Sequence, residues 1–257
     1  MKLTESNYYD REANESYMSV SQFKQFLDCP AAAMAQIRGE YERPKTTALL
    51  EGSYIDAFFA DTLSDWVDKH QECINKRSGE LKAEYRKARI AAASAEADEG
   101  FMKYLGGEKQ KIITGELFGI EWKAKPDFVF QDKIVDLKYM KDIKSVFKDG
   151  ERMTFVQAYK YDIQGFVYQQ LEYRRKGTLK PFYLAVITKE EPADRAIIEL
   201  PQYLLNSAGS IVEHYTPIFS EMKNGARETP RCEHCAYCRS TKKTDRIMQY
   251  EELLETV

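Results

Sequence analysis

The sequence predicts an α/β (α+β) fold in which a central mixed β-sheet is flanked by helices. Short apolar runs read as strands, the clearest being Phe128-Val129-Phe130, Ile134-Val135 and residues 182–187. Longer stretches with helical spacing of apolar residues surround them, over 46–67, 154–174 and from Pro201 to about Lys223. A hydrophobic content of 43%, with 12% aromatics over 257 residues, is ample for the core of such a fold.

Residues 1–18 are polar and tyrosine-rich without periodicity, and read as an arm or loop. Ser19 or Ser21 can cap a helix carrying Phe23, Phe26 and Leu27. Cys29-Pro30 then precedes a helix-favouring run over 31–37 that Gly39 can close. After a break at Arg43-Pro44, the apolar residues from Leu49 to Trp66 mark one or two buried helices. Residues 77–98, rich in Ala, Glu, Lys and Arg, read as a solvent-exposed helix. Strands over 111–114 and 120–124, separated by a turn at Gly119, join 128–138 in a β-meander. A helix over 154–174, strands over 182–187 and 196–199, and a helix with Pro201 in its first turn complete the order. With no repeat and no long linker, the chain reads as one domain, 1–257. Its parts are the arm (1–18), a helical N-terminal part (19–100), the core (108–223), and a cysteine-bearing segment with the tail (229–257).

The formal net charge of -3 argues against a surface coated in positive charge, but leaves room for a local basic channel. Basic clusters at 173–176 and 239–243 read as solvated faces. No apolar run approaches the roughly 20 residues of a membrane span, and the polar start of the chain is unlike a signal peptide. The expectation is a cytoplasmic protein without membrane contact. There its five cysteines serve as thiols or metal ligands rather than disulfides.

The chemistry gathers around residues 125–138. Gln131-Asp132-Lys133 makes a polar turn between two short strands. Asp136 and Lys138 stand two apart, so they share a face while Leu137 points the other way. If the strands pair, Asp127 lies beside Asp136. Two carboxylates and a backbone carbonyl suit a hard divalent cation, and the lysine can orient or help deprotonate a water. On the following helix, Gln157, Tyr161, Gln164 and Tyr168 fall on one face, where they can bond phosphate oxygens. Cys232, Cys235 and Cys238, at C-x-x-C-x-x-C spacing, read as a metal clip that needs a fourth ligand, for which Cys29 is chosen. A zinc site using His234 is the alternative. Cys73 reads as a buried small hydrophobe, and His70 and His214 as structural.

Pro126-Asp127 followed by Asp136-Leu137-Lys138 resembles the signature of the PD-(D/E)XK nuclease superfamily. Gln164-x-x-x-Tyr168 and an upstream Gly52-x-x-x-Asp56 are similar to the extra motifs of its RecB-type branch, with Asp56 where that branch often has a metal-binding histidine. A Cys-Pro pair before the core and three cysteines after it are similar to RecB-type nucleases that carry an iron–sulfur cluster. The last gap is shorter here. The resemblance, from about Val20 to Cys238, is strongest to phage and prophage RecE-type (exodeoxyribonuclease VIII) exonucleases.

That resemblance implies a restriction-endonuclease-like core and a metal-dependent exonuclease of linear double-stranded DNA, with 5′ to 3′ polarity. It implies a role in phage-type recombination with a single-strand annealing protein, and a ring-shaped homo-oligomer. Asp127, Asp136, the Leu137 carbonyl and Asp56 would hold two Mg2+ (or Mn2+) ions, Lys138 would act on the water or transition state, and Gln164 and Tyr168 would position the strand. Cys29, Cys232, Cys235 and Cys238 would hold a [4Fe-4S] cluster, or Zn2+. The competing readings are a catalytically silent DNA-binding scaffold and an iron–sulfur single-strand nuclease of the CRISPR-adaptation or helicase-associated type.

Overall fold

The computed structural model describes residues 1–148, 150–244, 247 and 249–251. The chain opens with α1 (Arg11–Ser16), β1 (Met18–Ser19), α2 (Val20–Asp28) and α3 (Pro30–Ile37). Helices α4 (Thr47–Phe59), α5 (Leu63–Lys69), α6 (Ala83–Glu96) and α7 (Glu99–Met102) follow. Next come β2 (Glu108–Lys109), β3 (Ile113–Leu117), β4 (Ile120–Ala124), β5 (Phe128–Val129) and β6 (Ile134–Met140). A small hairpin of β7 (Val146–Lys148) and β8 (Glu151–Met153) leads to α8 (Phe155–Ala158) and α9 (Tyr161–Lys176). Strands β9 (Phe182–Thr188) and β10 (Arg195–Leu200) precede α10 (Gln202–Lys223) and α11 (Ala236–Ser240).

The main sheet has the order β10-β9-β6-β5-β2 and is mixed, because β6 and β9 run parallel while the other neighbours are antiparallel. Parallel strands need a crossover, and α9 supplies it between β6 and β9. Alternation along β6 splits its side chains between two cores. Ile134 and Met140 join a core with α2, α9 and α10, while Val135 and Leu137 join one with α4 and α6. Asp136 and Lys138 share the parity of Ile134, so the strand delivers them to the α9 side.

Several expectations need correction. Residues 1–18 are folded onto the domain, with Tyr8, Ala13 and Met18 buried. Two lysines pin them there: Lys123 donates to the Tyr8 carbonyl and Asn14 Oδ1 at 2.5 and 2.8 Å, and Lys223 donates to the Asn14 and Tyr17 carbonyls, both at 2.8 Å. No single β-meander runs from 111 to 138. Strand β4 pairs with β3 and with β1 in a separate sheet, while β5 and β6 belong to the main sheet. The stretch 46–67 is two helices. The helix expected over 77–98 starts at Ala83 and buries a stripe of Tyr85, Ala88, Ala91, Ala92 and Ala95 beneath its charged face. The helix expected over 154–174 is broken at Lys160, which sits in the left-handed region at φ 56°. Gln157 therefore leaves the Gln/Tyr face and bonds the cap residue Thr154.

Helix α9 lies unusually close to its neighbours. A Cβ on Gly165 would stand 2.7 Å from the Phe182 ring and 2.9 Å from Leu205, both fully buried. Gly165→Ala gains up to about 1 kcal/mol of helix propensity but loses about 1–3 kcal/mol to overpacking. The expected net is destabilisation, read as a lower urea midpoint at unchanged m-value. An unchanged or higher midpoint would show that α9 can move away from β9.

Candidate active site

The pairing of β5 with β6 sets Phe128 opposite Val135, so Asp127, just before β5, comes beside Asp136 within β6. Asp127 is fixed on both oxygens: Oδ2 accepts from the Leu137 N–H at 2.8 Å and Oδ1 from Gln110 Nε2 at 2.7 Å. Asp136 is buried, and its Oδ1 accepts from Gln164 Nε2 of α9 at 2.8 Å. Its Oδ2 is ion-paired with Lys138 and has no other partner among the described residues. A buried carboxylate oxygen left in that state has coordination capacity to spare. Lys138 lies over the Tyr161 ring, 5.1 Å from its centroid.

Asp56 on α4 completes the group, and its carboxyl feels both Lys138 and Asp136. Three carboxyls thus share one ammonium. Burial, reinforced by Asp136 and opposed by Lys138, pushes the Asp56 carboxyl up to about 7. Burial, with Asp136 and Asp56 adding to it, raises Asp127 well above the usual carboxylate range. Burial works to lower the Lys138 pKa, but Asp136, Asp127 and Tyr161 outweigh it, so the ammonium is held above its ordinary value. This excess of hard oxygen donors over cations fits a divalent ion. Tyr168 is buried with its ring edge-on to Phe182, and burial keeps its phenol protonated far above neutral pH. Leu137 places its side chain in the α4/α6 core.

Some contributors had no signal in the sequence. Gln110 orients Asp127 from a position beyond β2 in no motif. Lys24 on α2 reaches the Tyr159 carbonyl at 3.1 Å and Gln164 Oε1 at 3.4 Å, and lies 5.1 Å over the Tyr161 ring. Burial, then the neighbouring Lys138, lowers the Lys24 ammonium to about 7. Tyr9, from the arm, is near enough to feel Asp127 and Asp56. All three are brought in by tertiary packing alone. The histidines do not join: His70 stacks on Trp66 at 4.2 Å, and His214 packs edge-on to Tyr215 at 4.8 Å.

Away from this centre, the Sγ atoms of Cys29, Cys232, Cys235 and Cys238 all lie within 4.8 Å of one another. Cys29 sits at the α2–α3 junction, 3.5 Å from the Cys238 sulfur, and the Ala31 N–H donates to the Pro230 carbonyl at 3.2 Å beside it. The Cys235 N–H points at the Cys232 sulfur (3.3 Å) and the Cys238 N–H at the Cys235 sulfur (3.4 Å), which stabilises thiolates. Burial raises the Cys29 thiol, whereas the N–H groups of Cys235 and His234 outweigh burial at Cys232 and lower it. His234 stays outside, exposed, with Nδ1 engaged by the Cys232 carbonyl at 2.7 Å. Cys73 is buried and apart from the set. Four sulfurs at this spacing suit a thiophilic metal.

Comparison with known proteins agrees with this geometry. The profile of a PDDEXK-like domain of unknown function (DUF3799) matches residues 19–241. A protein of Eubacterium rectale, described as a "putative exonuclease" and solved by crystallography, superposes with a TM-score of 0.96 at 39% identity, covering 100% of both chains. Among curated proteins none matches. The chain belongs to the PDDEXK-like DUF3799 family of the PD-(D/E)XK superfamily.

Proposed function

We propose that the protein is a divalent-metal-dependent exonuclease of linear double-stranded DNA, cutting 5′ to 3′. The observation that carries the reading is the three-acid, one-ammonium centre, in which the buried Asp136 Oδ2 has the Lys138 ammonium as its one partner among the described residues. The exonuclease description of the E. rectale protein and the RecE-type resemblance support end-dependent cutting. Asp127, Asp136, the Leu137 carbonyl and Asp56 hold two Mg2+ or Mn2+ ions. When bound, these supply Lewis acidity at the scissile phosphate and a more acidic water. Gln164 holds Asp136 in place through Oδ1, leaving Oδ2 for the metal. Lys138, kept protonated by its acidic neighbours, serves as a hydrogen-bond donor to the water or to a phosphate oxygen rather than as the base. Tyr168 donates from its protonated phenol to the same region.

The test is digestion of end-labelled linear duplex beside a covalently closed circle, with Mg2+, for wild type and Lys138→Ala. Loss of the linear form alone, dependent on Lys138, is expected, and the label gives the polarity. Cutting of the circle would make the enzyme an endonuclease. No cutting at all would favour the scaffold reading.

The metal-free centre also sets a pH dependence. A carboxyl whose folded pKa is raised binds its proton more tightly folded than unfolded. The stability of metal-free protein from these groups is therefore full below about 4 and lost as pH rises through about 7 for Asp56. Divalent ions must displace those protons, so Mg2+ affinity should fall below about pH 7 and binding should release protons. Calorimetry at about pH 6 and about pH 8 in buffers of different ionisation enthalpy checks this. Equal affinity without proton release would remove Asp56 and Asp127 from the metal site.

We further propose that the four thiolates hold a single zinc-type ion. A Zn–S bond of about 2.3 Å gives a tetrahedral S···S edge of roughly 3.8 Å. The observed sulfurs, all within 4.8 Å, suit that better than a four-iron cluster, whose thiolates each stand outside a different iron and so lie wider apart. Metal analysis with a visible spectrum decides: brown protein with iron would reject zinc. Action beside a single-strand annealing protein, ring assembly and a cytoplasmic location rest on the RecE-type resemblance and on reduced thiols, and light scattering of the purified chain tests the ring.

A further inference from the structure

Lys24 is a mostly withdrawn cation without an ion-pair partner among the described residues. Its ammonium has three N–H donors, and the described structure uses them only on two neutral oxygens, one at a long 3.4 Å. It flanks the Tyr161 ring at the same 5.1 Å as Lys138, which places it one step from the cutting centre. An ammonium held off solvent with no directly paired counter-charge is costly unless an anion arrives.

Lys24 opens into a cleft of about 620 Å³ lined by Arg43, Lys45, Lys148 and Lys160, against the acids Asp28 and Glu42. Lys160 is spent on Asp28 and Lys148 donates to the Ala158 carbonyl. Arg43 and Lys45 are exposed, and among the described residues neither they nor Lys24 form an ion pair. In a chain of net charge -3, Arg43 and Lys45 concentrate unpaired positive charge in this cleft, on the Lys24 side of the cutting centre. The cleft continues through Gln25, Gln36 and Arg43 into a second one, which reaches Cys29, Cys235 and the Tyr41–Tyr237 ring pair.

We propose that this groove, which starts at Lys24 and the Tyr161 ring beside Lys138 and runs along α2 toward the cysteine clip, is the path of the DNA strand being cut. Lys24 holds the phosphate next to the scissile one, and Arg43 and Lys45 hold phosphates beyond it. The proposal rests on the nuclease reading and deepens it, because neither lysine nor the arginine belongs to any motif that carries that reading. Backbone phosphates are the group such spaced, flexible cations recognise, without regard to base sequence.

The test separates binding from cutting on the full chain. Binding of a fluorescent single-stranded oligonucleotide is followed by anisotropy with Ca2+ in place of Mg2+, over a series of salt concentrations. The variants are Lys24→Met, Lys24→Arg and the pair Arg43→Ala/Lys45→Ala. Lys87→Ala serves as control, since it removes an exposed cation paired with Glu191 elsewhere. Lys24→Met and the Arg43→Ala/Lys45→Ala pair should bind at least about tenfold more weakly, with a salt slope shallower by about one for each phosphate no longer held, while Lys24→Arg keeps most of the affinity. Arg43 and Lys45 are exposed, so their substitution tests the groove even if Lys24→Met folds poorly. If both groove variants bind with the affinity and slope of Lys87→Ala, the strand takes another path and the proposal fails. Mg2+-dependent cutting by those same variants would then leave the nuclease reading standing. Groove-dependent binding by a wild type that cuts nothing would do the reverse.

Discussion

Asp136→Asn is expected to reduce Mg2+-dependent cleavage by roughly 10³-fold or more while leaving the melting temperature nearly unchanged. The large effect follows from Oδ2, the buried oxygen partnered only by Lys138 among the described residues, ceasing to be an anionic donor. The small effect on stability follows from the crowding of charge. Breaking a buried ion pair normally costs about 3–5 kcal/mol because one charge is stranded. Here Lys138 keeps Asp127 and Asp56, whose carboxyls are raised partly by Asp136 itself and ionise more readily once its charge is gone. The asparagine oxygen can still accept from Gln164. Lys138→Met should behave oppositely: three acids would face one another without a cation, so stability should drop as pH rises and Mg2+ should restore it. Thermal melts with and without Mg2+, beside single-turnover cleavage, measure both. Cleavage by Asp136→Asn within about tenfold of wild type would place the metal on other residues.

How much of this is legible in the sequence differs by kind of residue. The strand pair is readable, since alternation alone fixes the faces of Asp136, Leu137 and Lys138, and a polar turn between apolar runs sets Asp127 beside Asp136. Ligand arithmetic asks the triplet for a fourth sulfur, the Cys-Pro pair and the RecB-type resemblance single out Cys29 some two hundred residues earlier, and the sulfurs do meet. Local pattern fails where one residue redirects the backbone. The left-handed Lys160 moves Gln157 out of a face that helical spacing alone would give it, and the chain turns between Ala124 and Phe128 to put two hairpins that read as one meander into different sheets. It fails again where a polar segment is held by distant partners: the arm is anchored by Lys123 and Lys223, whose reach depends on a surface that residues 1–18 do not themselves encode. Lys24 and Gln110 belong to the same class. Nothing in their own neighbourhoods marks them, because their meaning comes from Gln164 and Asp127 being placed beside them by the sheet.

Cys29→Ser, or removal of the bound ion by a thiophilic chelator in excess Mg2+, should lower the unfolding free energy by about 3–5 kcal/mol. The clip ties the α2–α3 junction to the segment after α10, with Cys29 and Cys238 lying 209 positions apart in sequence, so its loss frees a long loop in the unfolded chain. The native state loses as well, since the sulfurs add to a hold of 230–238 on 31–41 that includes the Ala31–Pro230 hydrogen bond and the packing of Tyr41 on Tyr237. The cutting centre itself shares no side chain with the clip, so catalysis on bound DNA should survive at low temperature. Helix α2 links them: it carries Lys24 toward the acids and ends at the residue before Cys29. Clip loss should therefore weaken DNA binding more than it slows the chemical step. Urea unfolding, metal content per chain and the split between KM and kcat read these three consequences independently. Cys29→Ser protein of wild-type stability that retains one ion per chain would show that Cys29 is not a ligand. A fall in kcat alone would show that the ion acts on the chemistry rather than on the wall of the groove.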